Sequence, residues 1–191
     1  MGHNDDQPFS VLRPFEDLIH YGTKFGKNVV LGFNVIIDEN CLVGDSVFIG
    51  HNTVIRSGVK IGNGSVIGHL VMIESDTIIG QKVTIQSQCH ITKNATIEDR
   101  VFFGPMAMCI NTKTISHGRE FKPRIEGPHI KFGARIGSGS ILLPGCVIGK
   151  NSTVGAGSVI RGEVPDQTIY YSKKTLAEFQ GIVARREILK P

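Results

Sequence analysis

The hexad QSQCHI, residues 86–91, sets Ser87, Gln88 and His90 within four residues of one another. A second polar group, Asn111, His117, Arg119 and His129, is spread over residues 110–130. Histidine titrates near neutrality, so His90 or His117 could take a proton from a nucleophile or orient one. Hydroxyl and amide side chains such as Ser87, Gln88, Asn94 and Asn111 can hydrogen-bond a polar substrate. The plainer readings stand beside these: His90 as an interface histidine bonded to a neighbouring chain, His117 as a solvated loop residue. A catalytic zinc site needs three protein ligands, and His51 and His69 lie 18 residues apart with no close histidine pair, so no metal is expected.

A six-residue beat must position these groups. From Gly26 to Cys109 the chain divides into consecutive hexads (GKNVVL, GFNVII and onward to GPMAMC). The sixth position is Leu31, Ile37, Val43, then mostly Ile, ending in Phe103 and Cys109. The fourth is small or β-branched. Such a repeat predicts a β-solenoid. Two inward residues per hexad give one short strand and one corner. Three strands close a triangular coil of 18 residues, and coils stack at ~4.8 Å. Residues 18 apart then lie one above another, so Ser87 stacks over His69, His51 and Phe33. Asp38, Arg56, Glu74 and Thr92 form a second column, read as a corner ion ladder. The outward fifth position is apolar along two stripes, Ile36, Val54, Met72, His90, Met108 and Val30, Phe48, Val66, Thr84, Phe102. Stripes of this kind predict an interface between copies.

The expected organisation is one domain over residues 1–191, all-β. Coils are expected over 20–109 and 131–160, an extended loop over 110–130, and an exit strand or loop over 161–191. Leu176, Phe179, Ile182 and Val183 at helical spacing predict a short C-terminal helix there. A net charge of +4 suits anionic ligands but is too mild for nucleic acid. No apolar run reaches the roughly 20 residues of a membrane span. No signal peptide is visible, and the expected location is cytoplasmic. Cys41, Cys89 and Cys146 follow the small inward slot and Cys109 the large one, as buried free thiols would.

The segment KFGARIGSGSILLPGCVIGKNSTVGAGSVIRGEVP, residues 131–165, resembles the acyl-CoA-binding end of hexapeptide-repeat acyltransferases. The resemblance implies a left-handed parallel β-helix and a homotrimer with active sites between subunits. It implies that the backbone N–H groups of Ser138 and Ala156 face the pantetheine arm of an acyl-CoA, with Gly155 beside them in the cofactor site. It places Arg161 near the CoA phosphates, with Lys173 and Lys174 assisting. The chain departs from the family where DQTIYYSKKTLAEF follows Val164-Pro165 in place of a Gly-x-Pro-Ala tail, so adenine contacts do not carry over.

Residues 83–108 resemble the subgroup that N-acylates amino sugars linked to UDP or dTDP, in Gln86–Ile91, Ala95–Asp99 and Val101–Pro105. By that resemblance Ser87, His90 and His117 are the catalytic candidates. Gln88, Asn94, Asn111, His69, Arg56 and Glu74 are the candidates for holding the acceptor. In the hydroxyl-acylating branch of the family a loop histidine is the general base. His117 is its counterpart, with Gly118 where that branch has proline. An amine can attack a thioester without a strong base, whereas an alcohol needs one. The expected activity is therefore direct transfer of an acetyl or short acyl group from CoA to a nucleotide-linked amino-deoxy sugar. O-acetylation through His117 and a silent assembly scaffold are the alternatives.

Overall fold

The computed structural model describes residues 9–11 and 22–172. It is a left-handed parallel β-helix whose three faces are parallel sheets of nine, seven and eight strands. Face 1 runs from Phe9–Val11 and Val29–Leu31 through Thr84–Ile85 to Ile169–Tyr170. Face 2 runs from Ile36–Ile37 through His90–Ile91 to Val159–Ile160. Face 3 runs from Lys24–Phe25 through His129–Ile130 to Glu163–Val164. Pairing follows the 18-residue coil, as in Met72 with Val54 and His90. The sheets continue beyond residue 160: Glu163 pairs with Val147, and Ile169 with Thr153. The expected C-terminal helix, Lys173 and Lys174 lie outside the described residues.

Each hexad's third residue turns the corner with a left-handed backbone, from Asn28, Asn34 and Asn40 through Met106. Asn, Asp and Gly tolerate that conformation, which explains their rhythm in the sequence. The sixth residues fill the interior: Ile37, Ile55, Ile67, Ile85 and Phe103 are fully buried. Polar fourth-position residues are buried too, and they are satisfied. Thr53 Oγ1 donates to the Gly68 carbonyl at 2.8 Å, and Ser65 Oγ to the Gly80 carbonyl at 3.0 Å. Cys89 Sγ makes the same contact to the Gly104 carbonyl at 3.2 Å, so this thiol takes the place of a core hydroxyl. All four cysteines are buried and free.

The interrupting loop leaves and rejoins at the corner between faces 2 and 3. Thr112 bridges Ile125 in antiparallel fashion, Lys113 N–H donates to the Arg124 carbonyl, and Glu126 N–H to the Asn111 carbonyl at 2.7 Å. The loop is thus a pinned hairpin. Across it the register jumps: Phe102 pairs with Arg135 and Met108 with Ile141, 33 positions on instead of 18.

Candidate active site

The register across the hairpin decides what stacks on what. Along edge 1–2, the corner between faces 1 and 2, the second hexad residues read Phe33, His51, His69, Ser87, Pro105, Ser138 and Ala156. Corner hydrogen bonds fix the order: Gln88 N–H donates to His69 O, Met106 N–H to Ser87 O, Gly139 N–H to Pro105 O, and Gly157 N–H to Ser138 O. His69, Ser87 and Gln88 on the acceptor side and Ser138 and Ala156 on the CoA side therefore share one straight edge. Ser87 and Ser138 are two coils apart, ~10 Å. Gly68 and Gly137 keep the edge tight. A Cβ on Gly68 would lie 2.5 Å from Ser87 N, and one on Gly137 2.4 Å from Ala156 N.

The lower part of this edge is capped. Phe33 N–H donates to His51 Nδ1 at 2.7 Å, His51 N–H to His69 Nδ1 at 2.9 Å, and His69 N–H to Ser87 Oγ at 3.1 Å. Above Ser87 the capping side chains end. Proline follows at 105, and Ala156 stands over Ser138, so neither supplies an acceptor. Among the described residues nothing accepts the N–H of Ser87, Ser138 or Ala156. The result is a row of open backbone donors at Ser87, Ser138 and Ala156, interrupted at Pro105, that can meet carbonyl oxygens of a bound molecule. Gly155 differs. Its N–H donates to the Tyr170 carbonyl at 2.8 Å. The Tyr171 ring covers its Cα, so that an added Cβ would fall 2.1 Å from it. Gly155 shapes the row without donating to it. Arg161 is exposed, one strand beyond Ala156.

Three left-handed corner positions on edge 1–2 carry Leu70, Gln88 and Met106 instead of Asn or Gly. Bulky residues there cost backbone energy, and such cost collects at functional sites. The edge between faces 3 and 1 carries Lys82 and Arg100 in the same way.

His90 stands on face 2 between Met72 and Met108. Its Nε2 meets Glu74 Oε1 at 3.0 Å, and Glu74 Oε2 accepts Lys93 N–H at 2.9 Å. The imidazole therefore leans toward edge 2–3, away from Ser87. Arg56 turns to Asp38, so the column expected as a ladder holds one ion pair, while Glu74 turns out of it to His90 and Thr92 Oγ1 is buried without a partner among the described residues. Face 3 repeats the histidine geometry: His129 Nε2 meets Glu98 Oε1 at 2.9 Å, and Glu98 Oε2 accepts Phe132 N–H at 2.8 Å. Sequence reading missed this second pair. Its signal was a histidine in the outward fifth position with a glutamate opening the hexad one coil below.

Edge 2–3 holds the remaining candidates. Asn94 is exposed, with its backbone in the left-handed region. Asn111 is buried and donates from Nδ2 to the Lys93 carbonyl at 3.1 Å. Glu126 accepts from Lys113 Nζ at 2.9 Å and pairs with Arg124 at the hairpin base. The hydrogen bond from Lys113, reinforced by Arg124, holds the Glu126 carboxyl below its ordinary value. His117 is exposed on the hairpin beside the left-handed Gly118. Within one chain, then, Ser87, Gln88, His69, Ser138 and Ala156 gather on edge 1–2. Glu74, Arg56, Asn94, Asn111 and His117 lie at or beyond the other border of face 2.

Residues 16–125 match the family model described as GMPPB C-terminal domain, and residues 127–162 the one described as Bacterial transferase hexapeptide (six repeats). The chain is 38% identical over 56 residues to a dTDP-3-amino-3,6-dideoxy-alpha-D-galactopyranose 3-N-acetyltransferase of Aneurinibacillus thermoaerophilus, covering 29% of this chain and 28% of that one. It is 32% identical over 80 residues to a Galactoside O-acetyltransferase of Lactococcus lactis subsp. lactis, covering 38% and 37%. The first curated relatives are spanned over only 11% and 37% of their length. Among solved structures, UDP-N-acetylglucosamine acyltransferase from Campylobacter jejuni shares the fold at TM-score 0.65 and 16% identity, over 81% of this chain and 60% of that one. Solenoid, repeat and family models agree: this chain belongs to the hexapeptide-repeat transferase family.

Proposed function

We propose that the protein transfers an acetyl or short acyl group from CoA to the amino group of a nucleotide-linked amino-deoxy sugar. The observation that carries this is the shared edge: the Ser87–Gln88 corner lies two coils below Ser138 on the edge whose N–H groups at Ser87, Ser138 and Ala156 stay open. The similarity to a 3-N-acetyltransferase of a dTDP-amino sugar supports the choice of acceptor.

On this reading Ser138 and Ala156 N–H hold the carbonyls of the pantetheine arm, and the exposed Arg161 meets the CoA phosphates. Ser87 and Gln88 orient the amine. The neutral amine attacks the thioester carbonyl, forming C–N, and the Ser87 N–H receives the oxyanion. A preorganised donor at that point contributes more than a strong base would. The C–S bond then breaks, and the ammonium proton passes to the departing thiolate or through water. No acyl-enzyme is required. His90, with Glu74 behind it, is the nearest titratable side chain on the adjoining face.

The apolar outward residues of faces 1 and 2, among them Val66, Phe102, Met108 and Val159, remain exposed in one chain. Packing them together in a trimer would bring the hairpin of one copy, with Asn111 and His117, toward edge 1–2 of the next. O-acylation through His117 is the second reading, favoured by the galactoside O-acetyltransferase relative.

The test is CoA-thiol release from acetyl-CoA against dTDP-3-amino and dTDP-4-amino-6-deoxysugars, a UDP-amino-uronate and simple sugar alcohols. Turnover with a nucleotide-amino sugar supports the N-acyl reading. Turnover confined to alcohols replaces it with O-acylation, and tight CoA binding without either points to another acceptor class.

A further inference from the structure

We propose that His51 and His69 are the diphosphate-binding residues for the nucleotide-linked acceptor, which lies along edge 1–2 toward the amino-terminal coils. The proposal rests on the nucleotide-sugar reading above and adds where, and by which atoms, the nucleotide is held.

The edge has a direction. From Ser138 upward the open donors belong to the acyl donor, so an acceptor reacting at Ser87 has only the lower edge to extend along. That lower edge is an ordered stack of rings. His51 and His69 are parallel, with centroids 4.9 Å apart and 9° between planes. Phe33 and His51 stack at 5.0 Å and 12°. Phe48 meets His69 edge-on at 6.2 Å. From Ser87 to Phe33 is three coils, ~14 Å, room for a sugar, a diphosphate and the start of a nucleoside.

Both rings are committed to one hydrogen-bonding role. Each Nδ1 accepts a backbone N–H from the coil below. A neutral imidazole that accepts at Nδ1 carries its proton on Nε2. Among the described residues no group takes either Nε2. The edge therefore presents two oriented N–H donors one coil apart, a spacing that suits oxygens on two linked phosphates. Hydrogen bonds to such charged oxygens are the strong kind. The Nδ1 bonds and the stacking fix the rings before any ligand arrives, so little ordering is needed on binding.

The fold supplies its own control substitution. At the same hexad position on another edge, Asn63 Oδ1 accepts the Asp45 N–H at 2.8 Å. His51→Asn and His69→Asn thus keep the backbone cap while withdrawing the imidazole ring and its Nε2 donor, leaving a shorter amide that reaches less far outward. The measurement is calorimetric titration of wild type and both variants with dTDP, UDP, thymidine and CoA, with thermal unfolding alongside. The expected result is a loss of about tenfold or more in dTDP or UDP affinity in each variant. Thymidine and CoA affinities and the unfolding temperature stay close to wild type. Unchanged nucleoside diphosphate affinity in both variants overturns the proposal while leaving the N-acyl reading in place. A wild-type protein that binds CoA but neither dTDP nor UDP overturns both.

Discussion

Pro105 sits directly above Ser87: the Met106 N–H donates to the Ser87 carbonyl at 3.1 Å, and the proline ring supplies nothing to accept the Ser87 N–H. Every second-position N–H below it on the edge is capped by the side chain above. Proline at 105 is what leaves a donor open at the level where acyl transfer is proposed.

The first prediction closes that donor. Pro105→Asn places a side-chain oxygen where Asn63 has one on another edge, and it should cap the Ser87 N–H. The expected loss in kcat is about 10²–10³-fold, the effect of removing one oxyanion donor, with little change in CoA affinity. Pro105→Ala leaves the N–H open and should retain most of the activity. Equal activity in the two variants would remove Ser87 N–H from the mechanism.

The two histidine–glutamate pairs share one geometry on two faces, which makes one a control for the other. His90→Ala should lower kcat/KM by about 10²-fold, the effect of losing a positioned proton relay, and Glu74→Gln, which loosens the imidazole, should lower it by less. His129→Ala should leave transfer near wild type. Stability should change little in any of them, because part-exposed ion pairs contribute under about 1 kcal/mol. An equal effect from His90→Ala and His129→Ala would assign both pairs to the scaffold.

Gly137 admits no side chain, since a Cβ there would lie 2.4 Å from Ala156 N. Gly137→Ala must push the upper coil outward and tilt the Ala156 N–H. Overpacking of this kind costs about 1–3 kcal/mol. The variant should melt earlier, and its CoA affinity should fall further than its nucleotide affinity. Fluorescence-monitored unfolding with and without CoA measures both.

Burial pushes the Cys89 thiol up to about 11 and that of Cys146 up to about 12. Neither is a thiolate near neutral pH, and both are enclosed. An aromatic disulfide reagent at pH 8 should leave the native thiols unreacted and titrate all four after denaturation. Cys89→Ser should fold normally, because a hydroxyl can make the contact to the Gly104 carbonyl that the thiol makes. Cys89→Val, which leaves that carbonyl only the long contact from the Ala107 N–H at 3.4 Å, should be the less stable of the two.

The hairpin base carries a pH dependence of known sign. The Glu126 carboxyl is held below its ordinary value by Lys113 first and by Arg124. Its contribution is therefore complete above the ordinary carboxylate range and fades as pH falls toward the lowered folded value. Amide exchange of residues 112–126 should accelerate over that interval while the solenoid strands stay protected. Glu126→Gln should show fast exchange at neutral pH.

Much of this protein is legible in the residues themselves. The hexad phase determines which side chain points inward, because each coil repeats the same local geometry. Ala156 over Ser138 and Ser87 over His69 follow from counting 18. Asn, Asp and Gly at the third place of many hexads mark the corners, whereas Leu70, Lys82, Gln88, Arg100 and Met106 take the same left-handed backbone without that signal. Counting stops at the hairpin, because a loop of irregular length carries no register of its own. Only the pairing of Phe102 with Arg135 joins the two columns into one edge. The direction of a surface imidazole is likewise absent from the pattern. His90 turns to Glu74, and His51 and His69 present Nε2, because of partners in neighbouring coils. The repeat thus determined the scaffold and its stacking, and tertiary contacts between coils decided which backbone donors stay open and where each histidine points.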